Sequence, residues 1–491
     1  MTAALRKPGQ TTSPGSRWTL PDAFDIRPKD VVSFVGGGGK TAAMFRLASA
    51  LADRGWRVVC TTTTHLGREE SSLAPHHLWS QDAPLSAREL LAELETARHL
   101  LVTGPRIEGG ERWAGVSPDW VAQTASLAPV DAILVEADGA RDLPFKAPAL
   151  HEPVVPPATT LLIPVVGVDA VGRAIADGAH RPEQVAALLG VRPADRLTPE
   201  AIASVLVHPA GGLKARPADA RVRVLINKVE TQSDMISARE IAQYLLYKDG
   251  RGGICKALTP GEQVSEGEPV SAVVIGAMQS RSPVREVRRR VAAVVLAAGR
   301  STRMAGDSPK QLLPWNDTTV IGQVVETLSC CRLSPLLLVL GHRAKEIRQA
   351  LAGTRAQFVD NPDYAEGEML SSLQTGVRAL NETVSGCLVL LADQPWLEAG
   401  LVERLLDAYA AGPSGIIAPA YQGKRGHPVL IDRRHWAEML ALGQNLAPRH
   451  LLQRHPADLC LVPVETDSIL DDMDTTEAYH RAKEERGRHH R

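Results

Sequence analysis

The sequence is poor in aromatic residues and has almost no net charge. Aromatic residues make up 4% of the chain and apolar residues 44%, so alanine, valine and leucine must build most of the core. The formal net charge of −1 provides no overall field that would attract nucleic acid or a membrane surface. We therefore expect neither as a partner, and any cationic chemistry must be local.

Closely spaced cysteine pairs and long apolar runs are also missing. The six cysteines show no Cys-x-x-Cys pair, which argues against a zinc ribbon or a disulfide framework and predicts reduced thiols. No apolar run approaches the length of a transmembrane helix, and the first residues lack the apolar core of a signal peptide. The sequence thus predicts a cytoplasmic protein.

A chain of 491 residues is too long for one core and indicates two or three domains. Residues 1–20 have the Ser, Thr, Pro and Gly content of a flexible tail. We expect a first α/β domain over residues 21–283 and a second over residues 284–491. The arginine-rich residues 281–290 between them are interpreted as a solvated linker helix.

The first domain begins with a strand that runs into a glycine loop. An apolar run from Asp30 to Val35 is followed by four glycines, Lys40 and Thr41, and then by an Ala- and Leu-rich helix. This is the order of a P-loop, although Phe34 stands where the Walker A pattern needs glycine. ATP or GTP binding and an inert tight turn both remain open. The predicted nucleotide-binding residues are Gly36, Gly37, Gly38, Gly39, Lys40 and Thr41.

Two later strands of this domain end in polar residues. The strand before Glu136 and Asp138 has a Walker B arrangement, in which carboxylates hold Mg²⁺ together with the Thr41 hydroxyl. Asn227 and Lys228 follow another strand in a pattern close to Asn-Lys-x-Asp, by which GTPases bind guanine. Glutamate at position 230 replaces the expected aspartate, so the base stays open.

Several strings of this domain match one family. VGGGGKT, TTTTH, EADGARDLPFKAPALHEPVVP, HRPE and LINKVE closely resemble the YqeC-like proteins, accessory factors for selenium-dependent molybdenum hydroxylases. The resemblance spans roughly residues 25–280 and implies a P-loop-type domain in hydroxylase maturation, with an enzyme of the xanthine dehydrogenase type as protein partner. Lys146 and His151 lie in its proline-rich loop, as part of the site or of a rigid surface loop.

The second domain opens with VVLAAGRSTRMAGDSPKQLLPW, from Val294 to Trp315. A buried strand leads into small residues that let main-chain amides approach an anion, and then into a polar loop with three cations. The competing interpretation is an ordinary strand-to-helix turn. We predict a nucleoside triphosphate site at Leu296, Ala297, Ala298, Gly299 and Arg300, with Arg303 and Lys310 as catalytic cations.

A second apolar strand of this domain ends at Asp393, followed by Gln394 and Pro395. Its carboxylate is expected at the carboxyl edge of the sheet beside the glycine turn, where Mg²⁺ would bridge triphosphate oxygens. Strands and helices alternate throughout this half, which predicts a Rossmann-like, mostly parallel, doubly wound sheet.

LAAGRSTRM, Lys310 and LLPW resemble the MobA/MocA-like nucleotidyltransferases of molybdenum cofactor biosynthesis, and LPW resembles most the cytidylyltransferase branch. The resemblance implies Ser371 and Ser372 as neighbours of the nucleotide, where helix capping is compatible with contact. It also implies Gly426, His427 and Pro428 as substrate-binding residues. Asp474, with Asp472 second, is implied as the partner of Asp393 on the metal.

Together these features predict a molybdenum cofactor cytidylyltransferase fused to a nucleotide-binding accessory domain. It would use Mg²⁺ and transfer CMP from CTP to molybdenum-loaded molybdopterin, releasing pyrophosphate. Two alternatives stay open: a guanylyltransferase acting on the same cofactor, and a non-catalytic, nucleotide-gated protein that binds and delivers it.

Overall fold

The computed structural model describes residues 17–79, 87–107, 111–247, 270–299, 309–365, 369–443 and 446–486. The chain divides into two compact units. Of the described residues, one unit comprises those within 18–246 and 270–288, and the other comprises those within 289–486. The two units divide between residues 288 and 289, a few residues after Val284, where we expected the second domain to begin.

A mixed set of strands and helices builds the first unit around one large sheet. In spatial order, its described strands are Val284–Arg289, Val270–Gly276, Arg221–Asn227, Leu161–Gly167, Asp30–Gly36, Ala132–Glu136, Val58–Thr62, His99–Thr103 and His77–Trp79. All pairs from Val270–Gly276 to His77–Trp79 are parallel. Short pairs add His65–Gly67 with Arg112–Ala114, and Phe145–Lys146 with Ala179–His180.

Helices cover both faces of this sheet. Alternate residues of Asp30–Gly36 face opposite sides: Val32 packs in the cluster that contains Leu47, and Val31 in the cluster that contains Trp120. The described helices of this unit are Leu20–Ala23, Lys40–Asp53, Arg68–Ser71, Ala87–Thr96, Pro118–Ala125, Ile175–Gly178, Pro182–Leu189, Pro199–Val207 and Gln232–Leu246, with a 3₁₀ turn at Val168–Ala170.

One prediction about this unit is wrong. The segment interpreted as a solvated linker helix contains the strand Val284–Arg289, at the edge of the first sheet. Val284 and Val287 are buried, and Glu286 accepts hydrogen bonds from Arg239 at 3.1 Å and Arg288 at 2.8 Å. Two of the charges are thus paired inside the fold, which a solvated helix would not achieve.

The second unit has its own twisted sheet. In spatial order its described strands are Gln357–Asp360, Leu336–Leu340, Val291–Ala297, Gly386–Leu391, Val429–Asp432, Ile416–Tyr421 and Lys424–Arg425, with Leu459–Pro463 also paired to Ile416–Tyr421. The first four are parallel, while Val429–Asp432 runs antiparallel to both neighbours. The predicted α/β class with parallel-rich sheets is confirmed.

The helices of this unit also lie on both faces of their sheet. They are Val320–Ser329, Ala344–Ala350, Met369–Arg378, Ala399–Ala411, Trp436–Ala441, Arg449–Arg454 and Thr476–Arg486, with 3₁₀ turns at Lys310–Leu312, Arg433–His435, Pro456–Asp458 and Asp467–Leu470 and a hairpin of Pro314–Trp315 with Thr318–Thr319. Among the described residues, no helix combines the length and apolarity needed to cross a bilayer.

Candidate functional sites

The glycine loop of the first unit lies at the carboxyl edge of its sheet. The strand Asp30–Gly36 is flanked by Ala132–Glu136 and Leu161–Gly167, so the residues after all three strands meet at this edge. Gly39 has φ 107° and leads directly into the helix Lys40–Asp53. A Cβ atom on Gly38 would lie 2.0 Å from the Gly167 nitrogen, so this position requires glycine.

The first three amides of the loop bind acceptors of the protein itself. Gly36 N–H donates to the Asp138 carboxylate at 3.1 Å. Gly37 N–H donates to the Val165 carbonyl and Gly38 N–H to the Leu143 carbonyl, each at 3.0 Å. In this conformation the loop does not offer these amides to a phosphate, and an anion here meets Lys40, Thr41 and the start of the helix.

Lys40 is buried among carboxylates. Its ammonium donates to the Gly36 carbonyl at 2.7 Å and lies 3.3 Å from Asp138 Oδ1 and 3.7 Å from Glu136 Oε1. Burial alone would lower the pKa of Lys40, but the charges of Asp138 and Glu136 outweigh it and raise that pKa. Lys40 therefore stays charged.

Two of the three predicted metal-binding residues of this unit, Thr41 and Glu136, are in contact, whereas Asp138 contacts Lys40 and Lys146. The Thr41 hydroxyl donates to Glu136 Oε2 at 2.8 Å and approaches Glu70 Oε1 at 3.4 Å. Burial raises the pKa of Glu136 to about 7. A hydroxyl beside carboxylates is a donor set suited to Mg²⁺. Glu70 was not predicted, because nothing in the sequence distinguishes it from an ordinary helix residue.

Lys146 belongs to this cluster, whereas His151 lies on the surface. The Lys146 ammonium is 3.1 Å from Asp138 Oδ2 and 2.6 Å from Glu152 Oε2, and its side chain is fully buried. Arg181 Nη1 donates to the same Glu152 oxygen at 2.5 Å. The His151 side chain is 78% exposed. Of the two interpretations, the site fits Lys146 and the surface loop fits His151.

Asn227 and Lys228, the other predicted nucleotide-binding residues of this unit, have different surroundings. Asn227 is buried and donates to the Gly38 carbonyl at 2.8 Å, while its side-chain oxygen accepts from Met278 N–H at 2.9 Å. Lys228 lies 3.3 Å from Asp169. Asn227 thus braces the glycine loop, and both amide ends of its side chain already have protein partners.

The second unit holds a cavity of about 440 Å³ at the end of the strand Val291–Ala297. The predicted residues that line it are Leu296, Ala298, Gly299, Lys310, Ser372, Asp393, Asp472 and Asp474. Tyr364, Met369 and Gln311 also line it and were not predicted. Arg300 and Arg303 lie outside the described residues.

Lys310 joins the two principal carboxylates of this cavity. Its ammonium donates to Asp393 Oδ2 at 2.5 Å and to Asp474 Oδ1 at 2.8 Å. Burial alone would lower the pKa of Lys310, but the charges of Asp393 and Asp474 outweigh burial, so the pKa is raised overall. Burial, together with the charges of Asp393 and Asp474, raises the pKa of Asp472. This concentration of negative charge favours a cation.

Asp393 also has an atom that the described residues leave without a hydrogen-bond partner. Its Oδ1 is buried and has no hydrogen-bond partner in the described part of the chain. A buried carboxylate oxygen without a donor is costly, and a metal ion removes that cost. Asp393, Asp474 and Asp472 therefore fit a divalent cation with oxygen ligands.

The two predicted serines lie in the first turn of the helix Met369–Arg378. Asn361 donates to Ser371 Oγ at 2.9 Å and to Ser372 Oγ at 3.0 Å. Ser372 lines the cavity, whereas Ser371 does not. Asn361 fixes both hydroxyls, a role that the sequence did not indicate.

The predicted substrate loop, Gly426 to Pro428, stands beside the cavity without lining it. Gly426 N–H donates to the Pro419 carbonyl at 3.1 Å, and His427 N–H to the Ile469 carbonyl at 3.0 Å. His427 Nδ1 is buried and lacks a partner among the described residues. Burial lowers the pKa of His427, and the nearby Asp393 charge opposes this.

Known protein families match the two units separately. The family model for the YqeC protein matches residues 32–183, and the family model for the MobA-like NTP transferase domain matches residues 293–459. The chain is 31% identical over 220 residues to the uncharacterized protein YqeC of Escherichia coli (strain K12), covering 45% of this chain and 84% of that protein.

Two relatives match the second unit. Molybdenum cofactor cytidylyltransferase of Escherichia coli (strain K12) is 28% identical over 193 residues, covering 39% of this chain and 94% of that protein. Nicotine blue oxidoreductase of Paenarthrobacter nicotinovorans is 31% identical over 199 residues, covering 39% of this chain and 95% of that protein. The chain therefore belongs to the YqeC family in its N-terminal part and is, in its C-terminal part, a nucleotidyltransferase with a MobA-like NTP transferase domain.

Proposed function

We propose that the C-terminal domain transfers CMP from CTP to the terminal phosphate of molybdenum-loaded molybdopterin and releases pyrophosphate. The observation that carries this proposal is the cavity in which Lys310 joins Asp393 and Asp474. The relative named as molybdenum cofactor cytidylyltransferase supports the choice of substrate.

The chemistry needs alignment and charge neutralisation, since a phosphate nucleophile is already ionised at neutral pH. Mg²⁺ held by Asp393 and Asp474, with Asp472 nearby, would neutralise triphosphate oxygens. Ala298 and Gly299 let the main chain approach the nucleotide, and Lys310 supplies a cation to the developing negative charge. Ser372 adds a hydroxyl that Asn361 orients.

The test of this proposal is pyrophosphate release by the full-length protein with Mg²⁺ and molybdenum-loaded molybdopterin, offered CTP or GTP. Release with CTP alone supports it. Release with GTP alone would favour the guanylyltransferase, and no release from folded protein would favour the delivery function.

We infer that the N-terminal domain binds ATP or GTP with Mg²⁺ and assists maturation of a cytoplasmic molybdenum hydroxylase. Lys40, Thr41 and the Glu136 and Asp138 carboxylates support a nucleotide and metal site. The first three loop amides must exchange their partners if they are to bind phosphate.

Binding of fluorescent ATP and GTP to the full chain, in excess CTP to saturate the other domain, tests this second function. Lys40→Ala should abolish binding at the N-terminal domain, whereas the exposed Lys345→Ala should not. Equal binding by both variants would contradict the assignment. Pull-down of a molybdenum hydroxylase by the full chain, with and without nucleotide, tests the partner.

A further inference from the structure

A second cluster of metal-binding side chains lies in the C-terminal unit, away from the residues that line the transferase cavity. It consists of His435, Glu438 and His455, and one ligand atom from each lies within 4.8 Å of the others. The spacing of these residues in the sequence does not indicate a site, because they are separated along the chain. The fold brings them together from two helical segments.

Local structure fixes where each side chain comes from. His435 ends the 3₁₀ turn Arg433–His435 and precedes the helix Trp436–Ala441, which carries Glu438 one turn later. His455 follows the helix Arg449–Arg454. His455 Nε2 lies 2.6 Å from Glu438 Oε2, and the imidazole centroids of His435 and His455 are 4.6 Å apart.

We propose that His435, Glu438 and His455 bind a Zn²⁺-class transition-metal ion. Two imidazoles and one carboxylate form a borderline-soft donor set, which favours zinc over the Mg²⁺ that suits the all-oxygen cavity. Tetrahedral zinc with bonds near 2.1 Å needs ligand atoms about 3.4 Å apart. The present separations, from 2.6 Å to at most 4.8 Å, bracket that value. A water molecule completes the four ligands.

The surroundings supply the outer partners that such ligands usually have. Asp458 Oδ2 lies 2.7 Å from His435 Nε2, and Asp458 Oδ1 accepts from Gly415 N–H at 2.8 Å. A carboxylate that holds one nitrogen of an imidazole orients the ring and leaves the other nitrogen for a metal. Arg454 binds the other carboxylate oxygen, Glu438 Oε1, at 3.1 Å, so the ion would replace the proton shared by Glu438 Oε2 and His455 Nε2.

Charge and accessibility are compatible with metal entry. His435 is buried, but the Glu438 and His455 side chains are 34% and 32% exposed, so the ion can reach the cluster from solvent. Glu438 and Asp458 supply two negative charges, and Arg454 at 3.1 Å from Glu438 and Arg434 at 3.8 Å from Asp458 offset part of them. Metal binding would tie the helices Trp436–Ala441 and Arg449–Arg454 together and close the chain between them, which stabilises this part of the domain.

The experiment is a calorimetric titration of untagged, full-length, metal-free protein with Zn²⁺ in excess Mg²⁺, which occupies the carboxylate sites. One tight equivalent is expected, together with a rise in Tm. In His455→Gln, whose side chain is partly exposed, that equivalent and the Tm rise should both disappear. Glu438→Gln should weaken zinc binding by about 10-fold to 100-fold.

Two controls address the other histidines. His480→Gln changes an exposed histidine of the same domain, and a double variant, His489→Gln with His490→Gln, removes the adjacent pair near the C-terminus. Both should keep the tight equivalent. Loss of zinc in the double variant, or its retention in His455→Gln, would overturn the proposal. Visible absorption bands of tetrahedral Co²⁺ in the native protein, absent in His455→Gln, are the matching spectroscopic result.

Discussion

The Lys310 ammonium lies 2.5 Å from Asp393 Oδ2, so a cation of the protein already lies against the carboxylate that we propose as a metal ligand. Its charge opposes that of a divalent ion bound to Oδ1, the other oxygen of the same carboxylate. When nucleotide and metal enter together, the lysine can turn from the carboxylates to the triphosphate.

Lys310→Ala should therefore change two affinities in opposite directions. Without nucleotide, Mn²⁺ should bind the variant more tightly because the competing ammonium is gone. CTP should bind about 10-fold more weakly because a charge-assisted hydrogen bond is lost. Mn²⁺ titration by electron paramagnetic resonance and CTP calorimetry measure the two effects. Unchanged CTP affinity would show that Lys310 does not reach the nucleotide.

Asp393→Asn should reduce pyrophosphate release by about 1000-fold or more, because the amide cannot replace a charged metal ligand. The fold should survive, since the substitution keeps the volume of the side chain. Asp363→Asn changes an exposed aspartate of the same domain and serves as the matched control. Full activity in Asp393→Asn would refute the metal assignment.

Glu136 should give the N-terminal domain a characteristic pH dependence. Burial raises the pKa of this carboxyl from 4.5 to about 7, so the folded state holds a proton that the unfolded state releases in this interval. The free energy of unfolding therefore falls as pH rises from about 4.5 to about 7, by up to about 3 kcal/mol from this group.

Glu136→Gln should flatten that part of the pH profile and stabilise the domain above about pH 7. Urea unfolding of the full-length protein at several pH values measures the slope. Glu95→Gln, which changes an exposed glutamate, should leave it unaltered. An identical slope in Glu136→Gln would mean that the folded domain holds no extra proton there.

Gly38→Ala should destabilise the N-terminal domain more than Gly172→Ala. The two glycines have similar positive φ values, 77° and 80°. A Cβ atom on Gly38 would meet the Gly167 nitrogen at 2.0 Å, whereas nothing lies within 4 Å of one on Gly172. We expect about 1 kcal/mol for Gly172→Ala and at least about 3 kcal/mol for Gly38→Ala. Equal losses in chemical denaturation would indicate an open glycine loop in solution.

Local pattern predicted the strands well where burial is continuous. The strand expected from the apolar run Asp30 to Val35 extends one residue further, and the helix expected after the glycine loop is Lys40–Asp53. The same logic placed Asp393 and Glu136 at the ends of buried strands. These features depend on residues that are neighbours in the sequence, so the sequence alone is enough to predict them.

Features that depend on distant partners were missed. Val284–Arg289 was interpreted as a solvated helix because its arginines look unpaired in sequence, yet Arg239, far along the chain, binds its Glu286. Glu70 and Asn361 act through hydroxyls of other segments, Thr41 and Ser372. None of these pairings leaves a trace in the spacing of either partner.

Gly37 and Gly38 donate hydrogen bonds to the Val165 and Leu143 carbonyls, and Leu143 lies in the segment that leads to Lys146. The glycine loop and this segment are therefore joined directly. A ligand that recruits these amides must first release Leu143 and Val165 from them. The rearrangement of the neighbouring segment would then reduce the net free energy of ligand binding. A ligand bound to these amides would therefore also displace the segment that positions Lys146, which pairs with Glu152, as Arg181 does.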